Sequence, residues 1–167
     1  MITIVKSPNA DSRTQNSDAT ISDLRNDTIN HINDVTNALN FLADLIKQRG
    51  PVHDNTKISN MEEFSLALKS GHIKDSNWYK KHITEERHHL KSHVPEDVTL
   101  IDVIEHLADC TMAGLARSGT IYDVDLMSEL LQVAVKNTVE LLKQNTKIAQ
   151  SLDISDFNND ILNEEVE

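Results

Sequence analysis

A chain of 167 residues, 38% of them apolar and 26% charged, is long enough to bury one real core, hiding roughly 70% of the surface its unfolded form exposes. The net charge of −11 argues against binding a nucleic-acid backbone or an anionic lipid surface, both of which need clustered Lys and Arg. Four glycines and three prolines leave little turn chemistry for a many-stranded fold, and Cys110, the single cysteine, rules out an intrachain disulfide.

After a short apolar start, Ile2 to Val5, residues 1–20 are polar and read as an irregular arm pinned by Ile2 and Ile4. From Ile21 the pattern changes. Leu24, Ile32, Val35, Leu39, Leu42 and Ile46 recur on one helix face, with Ser22 as the expected N-cap and Gly50-Pro51 as the stop. A loop, VHDNTK, leads to a helix over about Asn60 to Ser70. WYKKHITEERHHLKSH then predicts a helix from about Ser76 to Ser92, closed by Val94-Pro95. A further helix starts between Pro95 and Thr99 and ends at Gly119, and a long amphipathic one runs from Asp125 to Gln150. Residues 151–167 form an acidic tail with no basic residue. The expected fold is all-α, a single-domain helical bundle over 21–150 between the arm and the tail. No apolar run approaches the ~20 residues of a membrane span and no signal-peptide pattern opens the chain, so the cytoplasm is the expected compartment.

Seven of the eight histidines lie between positions 53 and 106. On a helix at ~100° per residue, His82, Glu85, Glu86, His89 and His93 share one face, whereas His88 falls off it and is expected in solvent. The next helix repeats the arrangement with Asp102, Glu105, His106 and Asp109, set against Ile101, Ile104, Leu107, Ala108, Met112 and Leu115. Either stripe alone is an ordinary solvated face. Two of them, together with the adjacent imidazole and carboxylate of His53-Asp54, suit a divalent cation. Trp78-Tyr79 reads as core, and His72 and His93 as helix-end residues.

His31, then His53-Asp54 in HDNTK, then Asp109 in EHLADCTMAG is similar to the H…HD…D pattern of the HD-domain metal-dependent phosphohydrolases. The match covers residues 31–109 with helical flanks, and Asp102 and Glu105 compete with Asp109 for the closing position. The chain also looks like small HD-like proteins of bacteriophage type, which would place it in a host cytoplasm. The resemblance implies a bundle of HD-domain type with His31, His53, Asp54 and Asp109 as metal ligands. It further implies His82, Glu86 and Lys57 in catalysis, and Arg87, His89, Arg117 and Tyr122 toward substrate, with His89 and Glu85 as an alternative site for a second ion. Mixed N and O donors suit Mn, Fe, Co, Ni or Zn, with Mg as a further option and one or two ions. The implied activity is hydrolysis of a nucleotide or related phosphate ester, and the helix at 125–150 has apolar surface enough for a homo-oligomer. Two other readings stand beside it. One is an acidic, non-enzymatic helical protein that blocks a host factor. The other is a pyrophosphohydrolase of the MazG type, in which EEF at 62–64, the glutamates of EERHH and EHLAD would hold Mg²⁺.

Overall fold

The structure, a computed structural model, describes residues 1–7, 10 and 12–150; the acidic tail lies outside the described residues. Among the described residues the fold is all-α apart from two short strands. Strand β1 (Ile2–Val5) is followed by helices α1 (Ile21–Arg49), α2 (Asn55–Ser59), α3 (Met61–Lys69), α4 (Asn77–Glu85), α5 (Leu100–Ser118) and α6 (Ser128–Gln144), then strand β2 (Thr146–Ala149). The described residues group into two compact units. One comprises Met1–Leu42 with the stretch from Leu142 onward, and the other comprises Ala43–Leu141. No helix among the described residues is long and apolar enough to cross a membrane.

In the first unit, the stretch expected as an irregular arm contains β1, which pairs in parallel with β2 in the register Ile2↔Thr146 to Val5↔Ala149. The β-branched run Ile-Thr-Ile-Val suits a strand, and Ile2 and Ala149 are buried. β2 comes from the end of the segment expected to be helix to Gln150. α6 stops six residues earlier, where Asn145 N–H returns to the Leu142 carbonyl and its own carbonyl accepts from Ile2 N–H at 2.8 Å. The start of α1 is capped by Thr20 rather than Ser22. Thr20 N–H donates to Asp23 Oδ2 at 2.9 Å while Asp23 N–H donates to Thr20 Oγ1 at 3.2 Å, a reciprocal pair that satisfies two orphan donors. No residue of α1 is buried, and Ile32 and Leu39 of its apolar stripe stand open.

The second unit is built on Leu90, Val98, Val103, Leu130 and Ala134. Leu130, Ala134 and Thr138 are spaced four apart and form the buried stripe of α6. Two polar links fix that helix to the start of α5: Leu100 N–H donates to Thr138 Oγ1 at 2.9 Å, and Asn137 Nδ2 donates to the Val98 carbonyl at 2.9 Å. The helix expected through Ser92 ends at Glu85, with Glu86 in extended conformation (φ −87°, ψ 107°). Helix propensity loses here to tertiary contacts. Thr56 N–H takes Glu86 Oε1 at 2.7 Å, and the Arg87 guanidinium is drawn to Asp97 and Asp102. Trp78 is core, as expected, stacked between Phe64 and His82 with ring centroids 4.4 and 4.9 Å away.

After α5 the chain folds back on Gly114. A Cβ there would lie 2.4 Å from the Thr120 carbonyl oxygen and 2.8 Å from Tyr122 N, both backbone atoms. Alanine is intrinsically the better helix former by about 1 kcal/mol, so the clash and the propensity oppose each other. Gly114→Ala is expected to destabilise the protein by about 1–3 kcal/mol, the range for overpacking. The shift of the urea unfolding midpoint measures it, and an unchanged or higher midpoint would show that the return of the chain does not depend on the missing side chain.

Candidate metal centre

The centre lies wholly in the second unit, and one buried carboxylate assembles its frame. Asp102, at position N3 of α5, has no exposed side-chain surface. Its Oδ2 accepts from Thr99 N–H at 2.8 Å and from Thr99 Oγ1 at 2.9 Å, which caps the helix. Arg87 grips it with two nitrogens, Nε to Oδ1 at 2.7 Å and Nη2 to Oδ2 at 2.9 Å, and Arg49 Nη2 reaches Oδ1 at 2.8 Å. Burial pushes the Asp102 pKa up, but the Arg87 hydrogen bond, the Thr99 N–H and the Arg87 charge together outweigh it, so the carboxyl sits below its ordinary range. The end of α1, the turn after α4 and the start of α5 therefore meet at one anion.

Gly50-Pro51 turns the chain out of α1, and His53 and Asp54 follow. Asp54 takes the left-handed conformation (φ 57°, ψ 22°), the one non-glycine residue to do so among the described residues. Aspartate tolerates this region better than most residues, and such strain gathers at functional sites. The turn leaves His53 Nε2 3.7 Å from Asp54 Oδ2 and 3.5 Å from Asp109 Oδ1. On the other side of the ring, His53 Nδ1 meets Glu105 Oε1 at 3.1 Å. Glu105 Oε1 is also 3.3 Å from His88 Nδ1. One carboxylate thus faces the Nδ1 atoms of two imidazoles and leaves both Nε2 atoms directed at Asp54 and Asp109.

His88, expected in solvent, is 1% exposed and lies at the middle of the cluster. Its Nε2 is 3.8 Å from Asp54 Oδ1, its ring is 4.2 Å from those of His53 and His89, and its carbonyl is held by His106 Nδ1 at 2.8 Å. His82 is also buried. Its Nδ1 is 2.6 Å from Thr56 Oγ1, and its Nε2 lies 2.8 Å from His89 Nε2 and 3.5 Å from Asp54 Oδ1. Burial, helped by His88 and His82, holds the His89 pKa down at about 4; burial first and Lys57 next lower that of His82. Both rings are therefore neutral at pH 7, the state that ligates metals.

Two groups have donor atoms within 4.8 Å of one another: His53, His88 and Glu105, and Asp54, His88 and His89. Donors around a transition metal, at bond lengths of ~2.1 Å, stand ~3.0 Å apart when adjacent and ~4.2 Å when opposite, so a cation needs only slight contraction of either group. The sharpest sign is Asp54. Its Oδ2 is paired with Lys57 Nζ, while its Oδ1 is buried without a hydrogen-bond partner and faces the two imidazole nitrogens of His82 and His88. A desolvated carboxylate oxygen with no donor is costly, and a cation seated among these nitrogens would satisfy it.

Of the residues picked out by sequence, the fold brings together His53, Asp54, Lys57, His82, His89 and Asp109. His31 is exposed on the part of α1 that belongs to the first unit and is a member of neither donor group. Glu86 is tied to the Thr56 amide, so the expected His82–Glu86 unit is replaced by His82–Thr56. Arg87 is committed to Asp97 and Asp102. Arg117 and Tyr122 are exposed and pair with each other, the guanidinium 5.9 Å from the ring centre. Glu85, expected with His89 at a second ion, is exposed, as are Glu62 and Glu63 of the MazG-type reading. His88, Arg49 and Thr56 were missed. The adjacent His88-His89 pair was visible as a signal, but the assumption of a continuous helix turned His88 away.

Residues 20–165 match the family of unknown function DUF5662, and the chain belongs to that family. No curated protein and no solved structure matches it.

Asp102→Asn keeps the shape of the side chain but leaves two guanidinium groups facing a neutral one, and is expected to destabilise the protein by about 3–5 kcal/mol at pH 7. Because the folded pKa of Asp102 lies below its unfolded value, its stabilisation is complete above the unfolded value of about 4 and is lost as pH falls further. The stability gap between wild type and variant, read by urea titration, is therefore widest near neutrality and closes below pH ~4. A gap independent of pH would mean that shape rather than charge is what Asp102 supplies.

Proposed function

We propose that this member of the DUF5662 family is a metal-dependent phosphohydrolase acting on a nucleotide or related phosphate ester. The observation that carries the reading is the buried, unpartnered Asp54 Oδ1 at the meeting point of His82, His88 and His89. The residues fit a transition metal. Asp54 Oδ1, His88 and His89 would hold it, flanked by His53, Glu105 and Asp109, and this imidazole-rich set with carboxylate oxygens suits Mn, Fe, Co, Ni or Zn. His53-Asp54 with Asp109 is also the part of the HD-type pattern that the fold brings together. His88 would take the place that the resemblance gave to His31.

When bound, a divalent ion neutralises phosphate oxygens and lowers the pKa of a coordinated water. The protein's own residues do the rest. Glu105 fixes the imidazole of His53 and faces that of His88, and Thr56 fixes His82, which in turn orients His89 through the 2.8 Å contact. Lys57 Nζ, held by Asp54 and about a third exposed, offers a positive charge to an incoming phosphate. In the overall reaction a water oxygen bonds to phosphorus as its O–H bond gives up a proton, the phosphorus–oxygen ester bond breaks with its electron pair going to the departing alcohol oxygen, and that oxygen takes up a proton in turn. The −11 of the chain does not prevent an anion from binding where a cation has been recruited.

Metal content by mass spectrometry is expected to be near stoichiometric in wild type loaded with Mn²⁺ or Zn²⁺, and absent in the His53→Ala/Asp54→Ala double variant. His31→Ala is expected to keep the metal; its loss there would restore His31 as a ligand. Asp54→Asn retains the left-handed backbone and removes the orphan charge. Its metal-free melting temperature is expected to equal or exceed that of wild type, while the metal-induced rise, about 2.7 kcal/mol at a hundredfold excess over Kd, disappears. Failure of the wild type to take up any of these ions would end the reading.

A further inference from the structure

Beside the donors lies a cavity of about 340 Å³ that the proposed chemistry has not used. One wall is His53, Glu105 and Asp109, Arg49 stands at the edge, and the floor is aliphatic: Ile46, Ile101, Ile104, Ala108 and Met112. The α5 residues at 101, 104, 105, 108, 109 and 112 fall within about 140° of arc, so one helix face presents two ligand-zone carboxylates alternating with an apolar floor. Ile104 and Met112 are 41% and 61% exposed, apolar surface left open against a buried polar cluster. This volume lies within the range of small-molecule sites, where apolar walls give affinity and a few polar groups give orientation.

What the walls lack is as informative. No side-chain amide or hydroxyl lines the cavity, and its polar groups, His53, Glu105, Asp109 and Arg49, are already engaged with one another or with Asp102, so none is spare for the hydrogen-bonding edge of a base. Its one cationic lining residue, Arg49, already serves Asp102 at 2.8 Å and lies 3.7 Å from Glu105. Additional phosphates would face Glu105 and Asp109 without a counter-charge.

Resting on the phosphohydrolase reading, we infer that the site takes a phosphate monoester with a single phosphate at the donor cluster and an uncharged, largely apolar group seated on Ile104, Ala108 and Met112. Shape and apolar contact select that group, so different bases or a plain aromatic ring are accepted alike, and di- and triphosphates are refused. Ile104, Ala108 and Met112 are then the specificity-determining residues.

The test is calorimetric binding to the full chain loaded with Mn²⁺, under conditions too brief for turnover, using inorganic phosphate, phenyl phosphate, adenosine monophosphate and adenosine triphosphate as probes. Phenyl phosphate and the monophosphate are expected to bind at least tenfold more tightly than inorganic phosphate, as burial of one ring supplies, and the triphosphate no better than inorganic phosphate. Ala108→Leu, which fills the cavity from an exposed position, should abolish the tenfold preference and leave the affinity for Mn²⁺ and inorganic phosphate unchanged. Met112→Gln should do the same by replacing the apolar contact with a neutral polar one. Uptake of metal and phosphate with no preference for the ring-bearing esters, or with the triphosphate bound as well as the monophosphate, overturns the inference and leaves the phosphohydrolase reading in place. No metal uptake overturns both.

Discussion

The contact of Asp102 with Arg49 and Arg87 is the constraint on which the second unit depends. It joins residues far apart in sequence, caps α5 from within, and withdraws Arg87 from the helix that residues 76–92 would otherwise continue. With that helix broken at Glu86, His88 turns inward and His89 returns to His82. Buried ion pairs of this kind often add little net stability, because desolvation offsets the attraction. Their value here is specificity: one carboxylate with two arginines has few alternative partners, so it selects the arrangement in which four imidazoles converge.

The cluster itself works the other way. Asp54 holds a left-handed backbone, and one of its oxygens is buried without a donor. Asp54, Glu105 and Asp109 crowd together with neutral His82 and His89, and the Lys57 ammonium is shared with Asp54 alone. Such an arrangement is locally unfavourable and has to be imposed by well-satisfied surroundings, which the Asp102 contact and the aliphatic core of Leu90, Val98 and Val103 supply.

How far this was legible in the sequence follows from which contacts are local. The all-α class was readable from apolar periodicity and the scarcity of breakers. His53-Asp54 stood out because a Gly-Pro break precedes it, and Glu105 and Asp109 because they lie on a helix whose spacing is regular. His88 was not legible: its position follows from where α4 stops, and α4 stops because of a contact fifteen residues away in sequence. Arg49 likewise takes its role from a partner distant in sequence, Asp102. β1 and β2 are four residues each and separated by almost the whole chain, so neither shows a pattern until its partner is known. His31 has the composition of a ligand, and only three-dimensional placement sets it in another unit.

The parallel pairing of β1 with β2 has a consequence for synthesis. The second unit is one continuous stretch, Ala43–Leu141, and all its internal contacts are available once that stretch has left the ribosome. The first unit is discontinuous. Ile2–Val5 is made before the second unit but does not meet its partner strand until Thr146–Ala149 emerges, about seven seconds or more later at translation rates of ~5–20 residues per second. The histidine cluster can therefore form on a nascent chain whose β1 is still without its partner strand.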